Sequence, residues 1–268
     1  MRVMIIGNGW LANRMLEVFP SALIVNDYTT VARNIAGYDV LINCAAKTNI
    51  DICEKDKITA FMSNVQLAGD LADLCYKTGK RYVFISSACI FESRTDIEDV
   101  KDEYSYPNPG CFYSLTKWMA EEMVLALNPF SLIVRVRLPL SEIPHPRNTI
   151  NKILKYPYLN DSQETVTVVE DMLPVFKELV EDKTKQGVFH LLNAGTISPT
   201  EIGLAFNHPH QVTSKADQDI RMKYEGRARR VHTIATSTRI PLLPDIKLRL
   251  PEIVKAYEYN RNASSHMI

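Results

Sequence analysis

The sequence has no long apolar segment and no excess of charge of either sign. Lys and Arg together number 31, as do Asp and Glu, so the formal net charge of the 268 residues is zero. Balanced charge argues against nucleic acid or an anionic membrane as a partner, because both attract proteins through a positive field. The apolar start, residues 1–7, is too short for a signal peptide or a membrane span. We therefore expect a cytoplasmic protein that acts on a small molecule.

Cysteine is also scarce, and its spacing argues against two uses. The five cysteines are an odd number, with no C-x-x-C pair and no metal-ligand spacing to a histidine. We therefore expect reduced thiols and no metal site.

Short apolar runs alternate with helical patterns in the first half of the chain. The runs that indicate buried strands are residues 3–6, 22–25, 39–42 and 81–86. Residues 54–77 instead keep apolar side chains at helical spacing. Such alternation is typical of a parallel sheet with helices on both faces. The sequence predicts an α/β fold, a Rossmann-type doubly wound parallel sheet with a smaller C-terminal substrate-binding lobe.

Three prolines between residues 139 and 146 mark the end of the regular pattern. We place a domain boundary there, between a dinucleotide-binding domain of residues 1–138 and a mainly substrate-binding lobe of residues 139–268. A later strand near residues 187–192 is expected to rejoin the sheet. Beyond it, a capping box that starts at Ser198 predicts a helix. Residues 260–268 are expected to form a frayed tail.

The first predicted strand ends in a Gly-x-Gly-x-x-Ala turn that opens a helix. In this context, the first glycine permits a tight turn, the second lets the backbone approach a pyrophosphate, and the alanine keeps helix and strand close. An ordinary glycine-rich turn is the alternative. The predicted cofactor-binding residues of the turn are Gly7, Asn8, Gly9, Trp10 and Leu11.

The sequence leaves the choice between NAD(H) and NADP(H) open. Asp27 ends the second strand, where an acid would accept bonds from the adenosine ribose and favour NAD(H). It could also lie in the following loop near the adenine, which leaves Arg33 free to meet a 2′-phosphate. The small residues Cys44, Ala45 and Ala46 end the next strand and would let a flat cofactor pass close to the backbone. Tight core packing is the alternative for these three.

Tyr113 and Lys117 are four residues apart and share one face of a predicted helix. They follow Ser87 and Cys89, at the end of an earlier strand, by about two dozen residues. A tyrosine has a reference pKa of about 10, and a neighbouring lysine charge is expected to lower that pKa toward neutral pH. This set suits proton transfer next to a carbonyl. An exposed polar helix face is the alternative for the Tyr-x-x-x-Lys pair alone.

In this order the motifs resemble the extended short-chain dehydrogenase/reductases and, within them, the dTDP-4-dehydrorhamnose reductase group. A closer resemblance is to the plant-type UDP-4-keto-6-deoxyglucose 3,5-epimerase/4-reductases of UDP-rhamnose synthesis. It is carried by residues 89–92, 110–117, 135–139, 146–153 and 167–174. The short segment after the first helix and the last seventy residues depart from the group.

The resemblance implies that Tyr113 protonates the C4 oxygen of a 4-keto sugar. Lys117 would hold the cofactor ribose, and Ser87 would hydrogen-bond the same C4 oxygen. Cys89 falls on the position of a catalytic thiol in epimerising members, and Lys152 on the lysine that works with it. A buried packing thiol and a solvated lysine are the alternatives for the last two.

The resemblance also implies that Asn64 serves a proton relay, with a polar helix face as its alternative. Arg147 and Asn148 are predicted to contact sugar or diphosphate oxygens. His145 is considered because the related GDP-fucose synthase pairs its cysteine with a histidine, although a turn residue fits its Pro-His-Pro setting better. Further charge for a diphosphate could come from Arg227, Arg229 and Arg230, for which a surface basic cluster is the favoured alternative.

The sequence thus predicts an NAD(P)H-dependent enzyme that converts UDP- or dTDP-4-keto-6-deoxyglucose to the L-rhamnose nucleotide by 3,5-epimerisation and 4-keto reduction. The expected partner is a nucleotide-diphosphate sugar, with no nucleic acid or membrane. Homodimer formation through helices beside the sheet is typical of the superfamily. The alternatives are a 4-reductase alone, a GDP-fucose synthase-like epimerase/reductase, and a non-catalytic NADP-binding regulatory subunit.

Overall fold

The computed structural model describes residues 1–93 and 99–265. The strands of this part of the chain are β1 (Val3–Ile6), β2 (Leu23–Val25), β3 (Val40–Asn43), β4 (Arg81–Ser87), β5 (Leu132–Val136), β6 (Pro139–Leu140), β7 (Tyr158–Asn160), β8 (Thr167–Val168), β9 (Gly187–His190) and β10 (Gln211–Thr213). A parallel sheet of six strands has the order β2-β1-β3-β4-β5-β9. Two small parallel pairs, β6 with β8 and β7 with β10, lie apart from it.

Helices connect the strands and flank the sheet. They are α1 (Trp10–Arg14), α2 (Tyr28–Asn34), α3 (Ile50–Lys55), α4 (Lys57–Phe61), α5 (Leu67–Lys77), α6 (Phe112–Leu127), α7 (Thr149–Ile153), α8 (Val169–Glu181), α9 (Pro199–Ala205), α10 (Lys215–Tyr224) and α11 (Ile246–Ser265). Among the described helices, none is both long enough and apolar enough to cross a membrane. The alternation of strands and helices confirms the predicted Rossmann-type α/β fold.

The strand order reverses at β1. The chain leaves β1 for β2 on one side and returns to β3 on the other side, so the carboxyl ends of β1 and β3 are adjacent. The backbone N–H of Cys44 donates to the Ile6 oxygen at 2.9 Å just past the paired ends of these strands. In doubly wound sheets ligands bind at this kind of switch point. The topology therefore locates a ligand site above Gly7 and Cys44 before any side chain is considered.

Two apolar cores cover the two faces of the large sheet. Alternate strand residues point to opposite faces, so Val3 and Ile5 pack on one face and Met4 and Ile6 on the other. The first face is covered by α1 and α8, the second by α2, α5 and α6. Because α8 and β9 belong to the C-terminal half of the sequence, that half adds an edge strand to the large sheet and a helix that covers one of its faces.

A third core belongs to the second lobe. It joins residues of β6 to β8, α7, α9 and α11, among them Leu140, Ile150 and Tyr257. Helix α9 begins with the predicted capping box, in which Ser198 and Glu201 each bond the other's backbone. The frayed tail expected from residue 260 is wrong as far as Ser265, because α11 continues to that residue. The buried side chain of Tyr257 anchors this helix. Residues 266–268 lie outside the described part.

We expect Gly7→Ala to destabilise the protein by about 2 kcal/mol or more, because strained backbone and lost space both contribute. Gly7 has a φ of +102°, and an added Cβ would lie 2.8 Å from the backbone nitrogen of Ala45. The matched control is Gly37→Ala, since a Cβ at Gly37 meets no atom within 4 Å. Urea unfolding of both variants would measure the difference. Equal losses would show that the turn accepts a side chain.

Candidate active site

A cavity of about 970 Å³ opens at the switch point. Its volume is in the range of small-molecule sites, about 300–1,000 Å³. The carboxyl ends of β1, β3, β4 and β5 form one wall, and α7, β7, α10 and the segment 225–231 form the other. In residues 1–93 and 99–265 no group of three or more His, Cys, Asp or Glu could hold a metal ion. The cavity thus joins the end of the sheet to the second lobe.

The glycine-rich turn forms the sheet end of the cavity. Gly7, Asn8, Gly9, Trp10 and Leu11 all line it. A Cβ on Gly9 would meet no protein atom within 4 Å, so the missing side chain leaves free space rather than serving protein packing. Such space suits a phosphate that approaches backbone N–H groups at a helix start. The turn therefore fits a dinucleotide.

The turn is held in shape by its own polar side chains. The Asn13 side-chain amide donates to the Asn8 side-chain oxygen at 3.0 Å and to the Gly9 carbonyl at 2.9 Å. Across the switch point, Cys44 and Ala45 line the cavity beside the turn, and so does Ala46.

Asp27 does not line the cavity, unlike its neighbour Asn26. The Asp27 carboxylate instead caps α2, where it accepts from the Thr30 backbone at 2.8 Å and from the Thr30 hydroxyl at 2.7 Å. These two bonds lower the pKa of Asp27. The structure thus uses the Asp27 carboxylate as a helix cap, and Asn26 lines the cavity in its place.

Tyr113 and Lys117 line the cavity from the first turns of α6, as does Ser87 from the end of β4. The Lys117 ammonium donates to the Ile85 carbonyl at 2.8 Å and lies 4.1 Å from the centre of the Phe84 ring. Burial lowers the pKa of Lys117 to about 8. Ser87, Tyr113 and Lys117 therefore line one cavity, and a carbonyl of β4 holds the Lys117 ammonium in place.

The expected lowering of the tyrosine pKa is not found. Protein atoms around the Tyr113 phenol raise its pKa well above 10 because burial disfavours the phenolate. The charge of Arg137 opposes this effect without overcoming it. At neutral pH Tyr113 therefore carries its proton, which is the form of a proton donor.

Cys89 lies in the turn just after β4 and is 5% exposed, on the cavity wall. Its backbone N–H donates to the Ser87 hydroxyl at 3.2 Å. Burial raises the pKa of the Cys89 thiol, whereas Arg137 and a hydrogen bond with Ser114 oppose that rise. Ser114 also lies 3.1 Å from the sulfur of Cys111. The thiol is therefore protonated at neutral pH.

Lys152 reaches the same cavity from α7, on the wall formed by the second lobe. Desolvation by the surrounding protein lowers the pKa of Lys152, and the charges of Arg147 and Arg230 lower it further. Arg147 also lines the cavity and donates to the Thr48 hydroxyl at 3.1 Å, across the opening between the lobes. The lowered pKa increases the fraction of Lys152 that is unprotonated and able to accept a proton.

Besides Asp27, two further predicted residues, Asn148 and Asn64, lie outside the cavity lining. Asn148 is fully buried, where it caps α7 through Ile150 and donates to the carbonyls of Ser141 and Ile143. Because its amide is used by backbone groups, we leave it out of the site proposed below.

Asn64 is likewise buried, and it binds both backbone groups of Lys47 and the hydroxyl of Thr116. It lies behind the cavity wall, in a position to shape the loop after β3.

The C-terminal arginines divide into two groups. Arg227 and Arg230 line the cavity and pair with Asp51, and these contacts lower the pKa of Asp51 to about 2, Arg230 most strongly. Arg229 lies outside the lining and pairs with Glu92. His145 stacks on the Trp10 ring with centroids 5.5 Å apart. Two of these three arginines therefore line the cavity, each paired with Asp51.

Sequence reasoning missed an ion pair on the cavity wall, Arg137 with Glu164. Arg137 directly follows β5 at its carboxyl end, a position that in itself could have marked it as a site residue. Ser114, which contacts both thiols, was also missed. Its place next to Tyr113 was the available signal.

Comparison with known proteins adds to this geometry. The family described as RmlD substrate binding domain matches residues 14–238. A bifunctional dTDP-4-dehydrorhamnose 3,5-epimerase/dTDP-4-dehydrorhamnose reductase of Arabidopsis thaliana is 31% identical over 162 residues, which are 58% of this chain and 53% of the relative. The match thus spans about half the length of that relative.

Two solved structures share the fold over nearly the whole chain. The L780 UDP-rhamnose synthase of Acanthamoeba polyphaga mimivirus has a TM-score of 0.85 at 24% identity, covering 96% of this chain and 99% of that chain. The dTDP-4-dehydrorhamnose reductase of Bacillus anthracis, in complex with NADP, has a TM-score of 0.77 at 19% identity, covering 96% and 98%. Both support the Rossmann-type architecture.

Proposed function

Because the chain belongs to the RmlD substrate-binding-domain family, we propose that it is an NAD(P)H-dependent reductase that forms a rhamnose nucleotide from a nucleotide-linked 4-keto-6-deoxyhexose. We propose further that it epimerises the sugar at C3 and C5 before reduction. The observation that carries both steps is that Ser87, Tyr113 and Lys117 line one cavity together with Cys89 and Lys152. The named activities of the plant and viral relatives agree with this proposal.

The glycine-rich turn and the ends of β3 and β4 are the proposed cofactor side. Gly9 leaves space for a pyrophosphate, and the short side chains of Cys44 and Ala45 would let a cofactor lie close to the backbone beside it. Lys117 is placed to hold ribose hydroxyls. A nicotinamide dinucleotide, when bound, supplies the hydride for the ketone. The NADP found with the Bacillus anthracis relative supports NADP(H), and Asn26, which lines the cavity where Asp27 does not, brings no carboxylate against a 2′-phosphate.

The second lobe is the proposed sugar-nucleotide side. Arg147, Arg227 and Arg230 bring cationic groups to this part of the cavity. Guanidinium groups suit diphosphate oxygens because they bind them in a bidentate manner. A nucleotide diphosphate would thus place its sugar between α7 and the end of β4, beside Tyr113 and Lys152. The site suits a sugar nucleotide better than a free sugar.

Reduction uses the phenol of Tyr113 as the acid. As the C4 carbonyl becomes an alkoxide, Tyr113 transfers its proton to the C4 oxygen, and Ser87 donates a hydrogen bond to the same oxygen. Lys117 stabilises the phenolate that remains. The raised pKa of Tyr113 is consistent with this direction, because the phenol is protonated before each turnover.

Epimerisation uses Lys152 and Cys89 on opposite sides of the sugar. The C4 ketone acidifies the hydrogens at C3 and C5, so a base can remove one and leave an enolate. Because the pKa of Lys152 is lowered and that of Cys89 is raised, we assign the amine as base and the thiol as acid. Ser87 and Tyr113 would stabilise the enolate oxygen. One cavity can therefore serve both steps.

The test is solvent exchange without reduction. We expect incubation with UDP- or dTDP-4-keto-6-deoxyglucose in deuterated water, with no cofactor, to place deuterium at C3 and C5, as read by NMR. Addition of NAD(P)H should then give the labelled rhamnose nucleotide. Absence of deuterium together with reduction of an already epimerised 4-keto sugar would leave a 4-reductase. Absence of both would overturn the proposed enzyme.

A further inference from the structure

Two arginines lie near the carboxyl end of β5, Arg135 within the strand and Arg137 directly after it, and they make different contacts. The nitrogens of Arg135 are all used, because Nε and Nη2 bind Glu121 and Nη1 lies 3.1 Å from the His190 ring nitrogen. Arg137 is used only in part. Its Nη2 donates to Glu164 and, at 2.6 Å, to the Val231 carbonyl. Its Nε is buried and has no hydrogen-bond partner among the described residues.

The surroundings of Arg137 fix it in place on the cavity wall. Its side chain is 8% exposed, and its backbone N–H donates to the Thr167 hydroxyl at 2.9 Å. The next residue, Leu138, has a φ of 37°, in the left-handed region that side chains disfavour. A buried donor without a partner costs about 1–3 kcal/mol. Residues with such unfavourable features cluster at functional sites. The ion pair with Glu164 therefore does not by itself explain why the Nε of Arg137 is buried without a partner among the described residues.

We propose that Arg137 is a positioning residue for Cys89, whose negative sulfur its charge stabilises during epimerisation. The proposal rests on the function proposed above. Ser87 pairs with Val136 in the parallel sheet, so Cys89 and Arg137 follow the neighbouring ends of β4 and β5, and both line the same cavity. The positive charge of Arg137 opposes the rise in the pKa of the Cys89 thiol.

The proton transfers explain why a cation is needed there. Lys152 removes the hydrogen from the sugar carbon, so the C–H bond breaks, the amine becomes an ammonium, and the electron pair moves into the enolate. The Cys89 thiol then gives its proton to the opposite face of that carbon, so the S–H bond breaks and a thiolate remains. Transfer of a proton from the ammonium to the thiolate through water restores both groups. Every cycle thus creates a thiolate in a buried place, where an uncompensated charge is costly.

The other charged or titratable groups near Cys89 do not replace Arg137. Tyr113 carries its proton and is neutral, Cys111 brings no positive charge, and the ammonium of Lys117 is held at the Ile85 carbonyl. Glu164 has the opposite effect, because its carboxylate offsets part of the arginine charge. Removal of Arg137 and removal of the Glu164 charge should therefore change the sulfur in opposite directions.

The test measures the thiol itself. Iodoacetamide alkylation of Cys89 is followed by peptide mass spectrometry from pH 6 to pH 11, which gives the midpoint of thiolate formation. We expect Arg137→Met to raise this midpoint by about one pH unit or more, since a nearby opposite charge shifts a pKa by roughly 1–3 units. Arg137→Lys, which keeps the charge, should stay near wild type. Glu164→Gln should lower the midpoint.

The control is Arg229→Met, which removes one positive charge outside the cavity lining and should leave the midpoint unchanged. A folded Arg137→Met protein with the wild-type midpoint would overturn the proposal. If Arg137→Met does not fold, Glu164→Gln decides, and an unchanged or raised midpoint overturns the proposal.

A second readout separates this proposal from the proposed function. Inversion at C3 and C5, followed by NMR, should be at least tenfold slower in Arg137→Met and much less affected in Arg137→Lys. An unchanged rate of inversion in Arg137→Met, together with deuterium uptake by the wild type, would refute the role of Arg137 and leave epimerisation intact. No uptake in the wild type would refute epimerisation, whatever the alkylation midpoints show.

Discussion

Replacement of Tyr113 by Phe should lower kcat for 4-keto reduction by roughly 10²–10⁴-fold, the range that positioned acid catalysis contributes. The change removes one hydroxyl from a half-buried ring and leaves its packing in α6 intact. Without that hydroxyl the C4 alkoxide must take its proton from water, and only Ser87 still donates to it. Steady-state oxidation of NAD(P)H with the epimerised 4-keto sugar measures the loss.

The matched control is Tyr104→Phe, because the Tyr104 side chain is 77% exposed and lies outside the cavity lining. Cofactor affinity, measured by fluorescence quenching, should stay near wild type in both variants. If Tyr113→Phe reduced the substrate as fast as wild type, the cavity would bind a dinucleotide without using this acid, as a regulatory NADP-binding subunit would. The experiment thus decides between an enzyme and a binding protein.

Local sequence patterns were sufficient to predict the parts of the site that depend on one element. Residues four apart in a helix share one face, so Tyr113 and Lys117 lie together on α6. Ser87 ends β4, whose apolar run is evident in the sequence. Gly7 and Gly9 follow the first strand directly. Because carboxyl ends of parallel strands lie along one edge of the sheet, the fold brings these local patterns together without further information.

Short polar side chains were harder to interpret, since the same residue types bind ligands and cap helices. Asp27 and Asn148 were both expected at ligands, and both cap the helix that follows them. In each case the chain turns into a helix at the next residue, so the backbone N–H groups of that helix are the nearest donors. A helix cap depends only on adjacent residues, whereas contact with a ligand depends on how the fold arranges distant ones.

Pairs that join distant parts of the chain could not be predicted. Arg137 and Glu164 are 27 residues apart in the sequence. Their contact depends on the fold of the second lobe, where Glu164 forms an antiparallel backbone bridge with Ile197. The prediction that the pKa of Tyr113 is lowered was wrong for a related reason. Sequence spacing gives the neighbouring charge of Lys117, whereas the larger effect is burial, which depends on the whole cavity wall.

Replacement of Cys89 by Ala should abolish inversion at C3 and C5, with a loss of at least 10²-fold, and should leave reduction of an already epimerised 4-keto sugar near its wild-type rate. The thiol is the proposed acid of epimerisation, whereas reduction relies on Tyr113 and Ser87. NMR of the sugar configuration and NAD(P)H oxidation measure the two activities on the same preparation. Equal losses in both would indicate a packing defect, because Cys89 is buried.

Lys152→Met tests whether the two groups act on the same carbon. If Lys152 removes the hydrogen from one face of a carbon and Cys89 returns a proton to the other face, either single variant already stops inversion at that carbon. The double variant should then lose no more than the larger single loss, since residues that act as a unit are not additive. Losses that multiply in the double variant would mean that Cys89 and Lys152 contribute independently. The assignment of base and acid to two sides of one sugar would then be wrong, even with both side chains on the same cavity.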